Sequence, residues 1–142
     1  MTPTAPLVLA VTDIEEARAA SRAARELGLS LRLASPRGAV RQTGAAYYRA
    51  LSRKLGEELV IDCDDAAGLA LEAIRLGARD VVFRGEASIR RRLDAMARTG
   101  GGRVRSRLPG TPVHPRPGEP LAAALARVAA GRGDLSLPSA SG

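Results

Sequence analysis

The sequence predicts an α/β domain built on a mainly parallel sheet, and a repeated unit carries that reading. The unit is an apolar strand, an aspartate, an alanine-rich helical stretch, a glycine and a second strand. Its first copy runs from Leu7–Val11 through Asp13 to Gly28 and on to Leu29–Ala34. Its second runs from Leu59–Cys63 through Asp64 and Asp65 to Gly77 and on to Asp80–Phe83. Strands alternating with helices of this length imply parallel pairing and right-handed crossovers. The chain length, 142 residues, leaves room for one such domain with a proper core and not for two.

The elements follow in order. Thr12-Asp13-Ile14-Glu15 reads as a helix start, with Thr12 as the cap and Glu15 reaching back. Ile14, Ala17, Ser21, Ala24 and Leu27 form the inner stripe, Glu15, Glu16, Arg18, Arg22, Arg25 and Glu26 the outer surface, and Gly28 the stop. Leu29, Leu31 and Leu33 alternate with Ser30 and Arg32 in a second strand whose one face is partly exposed. Residues 35–43 read as a loop, followed by a helix from about Gly44 to Leu55 that buries Tyr48, Leu51 and Leu55. Leu59–Cys63 is the third strand. Asp64 or Asp65 then caps a helix with Leu69, Ala70, Ala73 and Ile74 inside. Val81–Phe83 is the fourth strand, and a helix from Ala87 to Arg98 buries Ile89, Leu93 and Met96 before Gly100-Gly101-Gly102 breaks it. Arg103–Leu108 reads as a fifth strand. Arginines at 103, 105 and 107 load one of its faces, which places it at a sheet edge.

Five strands, four connecting helices and a terminal helix predict a flavodoxin-like arrangement, with strand order 2-1-3-4-5 and helices on both faces. The expected organisation is a sheet domain over 1–108 and a proline-rich linker over 109–118. A C-terminal helix over 119–130 packs on the same domain, and 131–142 form a disordered tail.

Composition narrows the function classes. The formal charge is +7 and almost all of it is arginine, Lys54 being the single lysine. Charge points to a partner only where it clusters, and arginine is spread along the whole chain. Phe83, Tyr47 and Tyr48 are the only aromatic residues, so base-stacking nucleic-acid modules are disfavoured. Nucleic acid is not the expected partner; non-specific association through Arg90, Arg91, Arg92, Arg98, Arg103, Arg105 and Arg107 is kept as an alternative to a solvated face. Cys63 is the sole cysteine, which excludes an intramolecular disulfide and a cysteine-based zinc site. The first residues lack a basic stretch, and the apolar run after them ends at Thr12-Asp13. No signal peptide or membrane span is expected, and the expected location is the cytoplasm.

In parallel sheets ligands bind beyond the carboxyl ends of the strands. The expected ligand-binding residues are therefore Asp13, Ser35, Arg37, Gly38, Asp62, Asp64, Arg84 and Gly85. Arg84-Gly85 precedes a helix, whose free N–H groups and dipole favour anions, and Arg37-Gly38 offers a second guanidinium on flexible backbone. Asp13 and Asp64 are expected at neighbouring strand ends on one edge of the sheet. Two carboxylates there would suit Mg²⁺, but helix capping accounts for the same residues, and no metal is assigned. Cys63 at a strand end has a nucleophile's position, yet Asp62, Asp64 and Asp65 oppose a thiolate, and His114 in the proline-rich segment is a poor base. No Gly-x-Gly-x-x-Gly fingerprint and no Walker-type lysine follows any strand. Catalytic residues and cofactors stay unassigned.

Three resemblances accompany these readings. Strand and helix order resemble the phospho-accepting receiver domains, but Arg84 stands where their hydroxyl belongs and Arg107 where their lysine belongs, so an active receiver is rejected. Gly77 to Gly85 resembles the glycine-flanked strand of phosphate-binding aldolase-type barrels, in a chain about half the length of such a barrel. Ser35-Pro36-Arg37-Gly38, Tyr47 to Leu51 and Ile61 to Leu71 together resemble a family of small uncharacterised bacterial βα proteins. That resemblance implies the same βα domain and carries over no activity and no site residues.

The functional expectation is a small protein that binds an anionic ligand bearing phosphate or carboxylate, or a protein partner, at the C-terminal ends of its strands. Its rival is a metal-assisted or acid/base enzyme acting on a phosphorylated small molecule through Asp13 and Asp64. Self-association is compatible with either.

Overall fold

The computed structural model describes residues 5–133. The first repeat forms β1 (Leu7–Ala10), α1 (Ile14–Leu27) and β2 (Leu31–Ala34), followed by a short α2 (Val40–Thr43) and α3 (Ala45–Leu55). The second forms β3 (Ile61–Asp62), α4 (Ala67–Arg75) and β4 (Asp80–Val82). Then come α5 (Ala87–Thr99), β5 (Arg103–Arg105), β6 (Thr111–Pro112) and α6 (Leu121–Gly131). No helix among the described residues is long and apolar enough to cross a membrane. Residues 134–142, most of the expected tail, lie outside the described residues.

Local chemistry sets the boundaries. Asp13, not Thr12, caps α1: its carboxylate accepts the Glu16 N–H at 2.8 Å, and the Thr12 hydroxyl donates to the Glu16 carboxylate at 3.1 Å. The predicted capping box thus gives way to a single side-chain cap one residue further on, with Glu16 reaching back to the Thr12 hydroxyl. Gly28 ends α1 in the left-handed conformation, φ 68°, that relieves the last carbonyls. The expected cap of α4 is different. Ala66 occupies the cap position without a side-chain bond, while Asp64 and Asp65 turn to arginines instead.

The strand order departs from 2-1-3-4-5. β1 lies between β2 and β6, and β4 lies between β3 and β5, in two three-stranded sheets whose ladders are parallel. The sheets meet at a single parallel bridge, Ala34 to Val60, where the Val60 N–H donates to Leu33 at 2.9 Å and the Ser35 N–H to Val60 at 2.8 Å. Strands thus follow one another in space largely as they do in the chain. β6 takes the side of β1 that the flavodoxin order gives to the third strand. It comes from within 109–118, where two paired residues between prolines leave no periodicity to read.

This order also moves the helices. Right-handed crossovers that always step in the same direction put every helix on the same side of the sheet. Leu7, Leu9, Leu33, Ile61, Val81, Phe83 and Val104 accordingly share one core with the inner residues of α1, α3, α4, α5 and α6. On α5 these are Leu93 and Ala97, while Ile89 and Met96, expected inside, are exposed. The alternate strand residues Val8, Ala34, Val60 and Val82 form a separate small cluster on the other face. Among the described residues, helices on both faces are therefore not found.

The helix-free face is covered by other means. After β5 the chain returns through residues 106–110 to start β6, and Leu108 packs onto the small cluster. Gly110 permits the return. A Cβ there would run into the carbonyl oxygen of Pro6, next to which the Thr111 N–H bonds Pro6 at 2.9 Å. On the same face the Asp80 carboxylate, 8% exposed, accepts from Arg32 of β2 at 3.2 Å and from Arg105 of β5 at 2.9 Å. Arg105 is thus a part-buried ion-pair partner of Asp80 and not a free member of an exposed arginine row with Arg103 and Arg107.

Both outer edges are blocked. Thr111 and Val113 donate inward to β1, so the N–H facing away from the sheet would belong to residue 112, which is proline and has none. On the far side the outward N–H of Val104 is taken by the Asp94 carboxylate of α5 at 2.8 Å. Arg98 holds Asp94 at 2.7 Å, and these two contacts lower its pKa, the Arg98 bond most. Asp94→Ala is expected to lower stability in urea unfolding by about 1–3 kcal/mol, because a part-buried donor loses its acceptor. Arg98→Ala breaks only an exposed pair and is expected to cost no more than about 0.5 kcal/mol. Equal costs would show that the edge bond contributes nothing.

α6 is tied to the segment that precedes it by Glu119, which accepts from Arg127 at 2.9 and 3.0 Å and from the Arg116 N–H at 3.0 Å. These bonds, Arg127 first, pull the Glu119 pKa from 4.5 to about 2. A depressed folded-state value means the tie contributes stability above 4.5 and is lost as pH falls towards 2. A carboxyl carbon titration by NMR is expected to place the Glu119 midpoint near 2, and a midpoint at 4.5 would mean that the tie is absent.

Candidate functional site

At the C-terminal ends of the strands the helix-free face opens into a cavity of about 270 Å³. Its apolar wall is Val8 and Ala10 of β1, Ala34 of β2, Leu108 of the returning segment, and Pro112 and Val113 from β6 onward. Ser35, Arg37, Asp62, Arg84 and His114 supply the polar part. The strand period explains the mixture. Val8, Ala34 and Asp62 occupy the pleat positions that point away from the helices, whereas Leu9, Leu33 and Ile61 point into the main core.

Asp62 organises the polar end. Its side chain is 2% exposed and accepts from Arg84 Nη1 at 2.5 Å and from the Asp64 N–H at 3.0 Å. Its own N–H donates to the buried Ser35 hydroxyl at 2.8 Å, which clamps β2 to β3. The Asp62–Asp64 bond tightens the turn after β3, and Asp64 sits there at φ 51°. That turn aims the Asp64 carboxylate at Arg37 Nε, 3.0 Å, and at Arg41 Nη1, 3.2 Å, with Arg41 also bonded to Asp65. The Arg37 bond is the largest cause of the lowered Asp64 pKa, and the Asp64 bond is the largest cause of the raised Arg41 pKa.

Of the expected residues, Ser35, Arg37, Asp62 and Arg84 come together at this cavity. Asp64 stands just outside it, holding Arg37. Gly38, at φ 74°, leaves room for the Arg41 guanidinium beside Asp64. Gly85 leaves room for the ring of Phe83, which a Cβ would strike. Asp13 is not brought to the cavity. It caps α1 and borders a separate hollow with Ile14, Tyr47 and Lys54, because β1 is flanked by β2 and β6 and not by β3.

Cys63 is buried on the helix side, and burial first, then Asp62, pushes its thiol up to about 12. It has no thiolate chemistry near neutral pH. Among the described residues no three His, Cys, Asp or Glu side chains lie together so as to hold a metal ion. His114 is the residue that sequence reasoning missed. Two residues beyond β6, it is carried to the cavity by a strand too short to announce itself.

Chemically the cavity is a small amphipathic hollow. Arg84 spends one guanidinium nitrogen on Asp62, and Arg37 donates only through Nε among the described residues. Each therefore keeps further N–H donors, and exposed His114 adds an imidazole able to donate or accept. No protein-family model matches this chain, and comparison with curated proteins gives no match.

Removing Arg84 would strand a buried carboxylate. Arg84→Gln is expected to destabilise by about 2–4 kcal/mol in chemical unfolding, somewhat below a fully buried pair since Arg84 is partly exposed. Asp62→Asn added to it is expected to restore most of that loss. A double variant as unstable as the single one would mean that the ion pair is not the reason.

Proposed function

We propose that the protein binds a small anionic metabolite, one bearing a phosphate or carboxylate on a short apolar body, in the cavity at the C-terminal strand ends. The observation that carries this reading is the convergence of Arg37 and Arg84 at the polar end of a hollow otherwise walled by small apolar side chains. Guanidinium groups match phosphate and carboxylate oxygens in planar, two-toothed geometry. The volume, about 270 Å³, lies just below the usual range for ligand pockets and suits a compact metabolite. Asp62 holds Arg84 in place, as Asp64 holds Arg37, so the donors are positioned before a ligand arrives. The enzyme alternative through Asp13 and Asp64 has less support, because Asp13 borders a different hollow and Asp64 is engaged by two arginines.

A thermal-shift screen of phosphorylated and carboxylated metabolites tests the reading. A ligand at a hundredfold excess over its Kd is expected to add about 2.7 kcal/mol of apparent stability. Arg37→Gln, at a side chain 66% exposed, is expected to leave the unliganded melting temperature nearly unchanged. It should weaken binding about tenfold or more through the loss of a charged hydrogen bond. Ligands that bind the Arg37→Gln variant as well as the parent would place the site elsewhere.

A further inference from the structure

Positive charge also gathers in two grooves that share no lining residue with the cavity. Between α1 and α3 a groove of about 310 Å³ is lined by Arg18, Arg22, Arg25 and Lys54. A second groove, of about 350 Å³, adjoins it at the C-terminal turn of α3 and carries Arg53 and Arg79. Glu57 lies in both, and the remaining charges there, Arg49 and Glu58, pair with each other at 3.4 Å. The two grooves together hold a surplus of five positive charges in a chain of net charge +7. On α5 and β5, Arg98 and Arg105 are held by Asp94 and Asp80, and the arginines there without an ion pair among the described residues, Arg90, Arg91, Arg92, Arg103 and Arg107, line neither groove.

Sequence spacing produces this surface. Arg18, Arg22 and Arg25 stand at i, i+4 and i+7, on one stripe of α1 that extends about 10 Å along the helix. Arg53 and Lys54 occupy the last turn of α3. All six side chains are exposed, and among the described residues none of them takes part in an ion pair or a side-chain hydrogen bond. Glu26, one turn past Arg22, lines neither groove. Positive side chains in final helix turns also complement the helix dipole, which accounts for Arg25, Arg53 and Lys54 singly. It does not account for Arg18 and Arg22, which extend the row back along α1.

We infer that these adjoining grooves bind the sugar–phosphate backbone of a nucleic acid without regard to sequence. A single phosphate cannot meet cations spread over two helical turns and a neighbouring groove, whereas a polymer with regularly spaced phosphates can. The grooves contain no aromatic side chain, so the contact is to backbone and not by base stacking. An anionic membrane surface fits less well. The exposed large apolar side chains, Tyr47, Ile89 and Met96, line neither groove and offer it no anchor.

The test is fluorescence anisotropy with a labelled 30-base-pair DNA duplex of arbitrary sequence, across a salt series. The parent is expected to bind with an affinity that falls as salt rises, by a slope of about 0.9 in the logarithms for each phosphate neutralised. The triple variant Arg18→Gln, Arg22→Gln, Lys54→Gln is expected to lose tenfold or more in affinity and to flatten that slope by about two to three. The control Arg91→Gln, Arg92→Gln, Arg107→Gln removes the same charge from exposed positions outside both grooves and is expected to bind within about twofold of the parent. A second variant, Arg53→Gln with Arg79→Gln, is expected to weaken binding as well, and melting curves confirm that each variant is folded. Equal losses in the groove and control triples would overturn the inference in favour of net charge alone. So would absence of duplex binding by the parent, or binding of phosphatidylserine vesicles without binding of DNA.

Discussion

The sheet depends on the one-directional stepping of its crossovers. Once right-handed connections step to the next strand each time, every helix must lie on one face, and the main core forms there from Leu7, Leu9, Leu33, Ile61, Val81 and Phe83. The opposite face then has no helix to cover it. Small side chains, the returning segment with Leu108, and the Asp80 ion pairs to Arg32 and Arg105 fill that role. Charged groups are tolerated on this face because each is given its partner, which offsets the cost of removing them from water.

The cavity is a consequence of the same arrangement. The returning segment covers the middle of the helix-free face and leaves the C-terminal strand ends open. Residues at those ends meet there whatever their separation in the chain, which is why Ser35, Asp62, Arg84 and His114 share one hollow. Asp62 has the central position. Through Ser35 it joins the two sheets, through Arg84 it orients a cation, and through the Asp64 N–H it shapes the turn that fixes Arg37.

Much of this is legible in the sequence, and the exceptions have identifiable causes. The repeated strand–aspartate–helix–glycine unit foretells parallel pairing, and the glycines at 28 and 56 end their helices in the left-handed conformation. The principle that ligands gather at carboxyl ends selects four of the residues that line the cavity. Strand order is not legible, since periodicity reports which face of a strand is buried and not which strand lies beside it. Thr111–Pro112 has only two paired residues and no alternation, yet it decides the neighbour of β1. Asp64 and Asp65 illustrate a different limit. An aspartate before a helix reads as a cap, but here arginines from the loop and α2 compete for both carboxylates and Ala66 takes the cap position without a bond. The arginines show the same limit: composition counts them, and only the fold separates those committed to Asp62, Asp80 and Asp94 from those left in the grooves beside α1.

The central claim is that the chain between β5 and β6 covers the helix-free face. Methyl–methyl nuclear Overhauser spectroscopy on leucine- and valine-labelled protein tests it most directly. The account predicts cross-peaks from the Leu108 methyls to those of Val8, Val60 and Val82, and none from Leu108 to Leu93 or Leu125 of the helix-side core. Leu108 cross-peaks to the helix-side leucines, or Leu108 methyls with no cross-peak to Val8, Val60 or Val82, would contradict it.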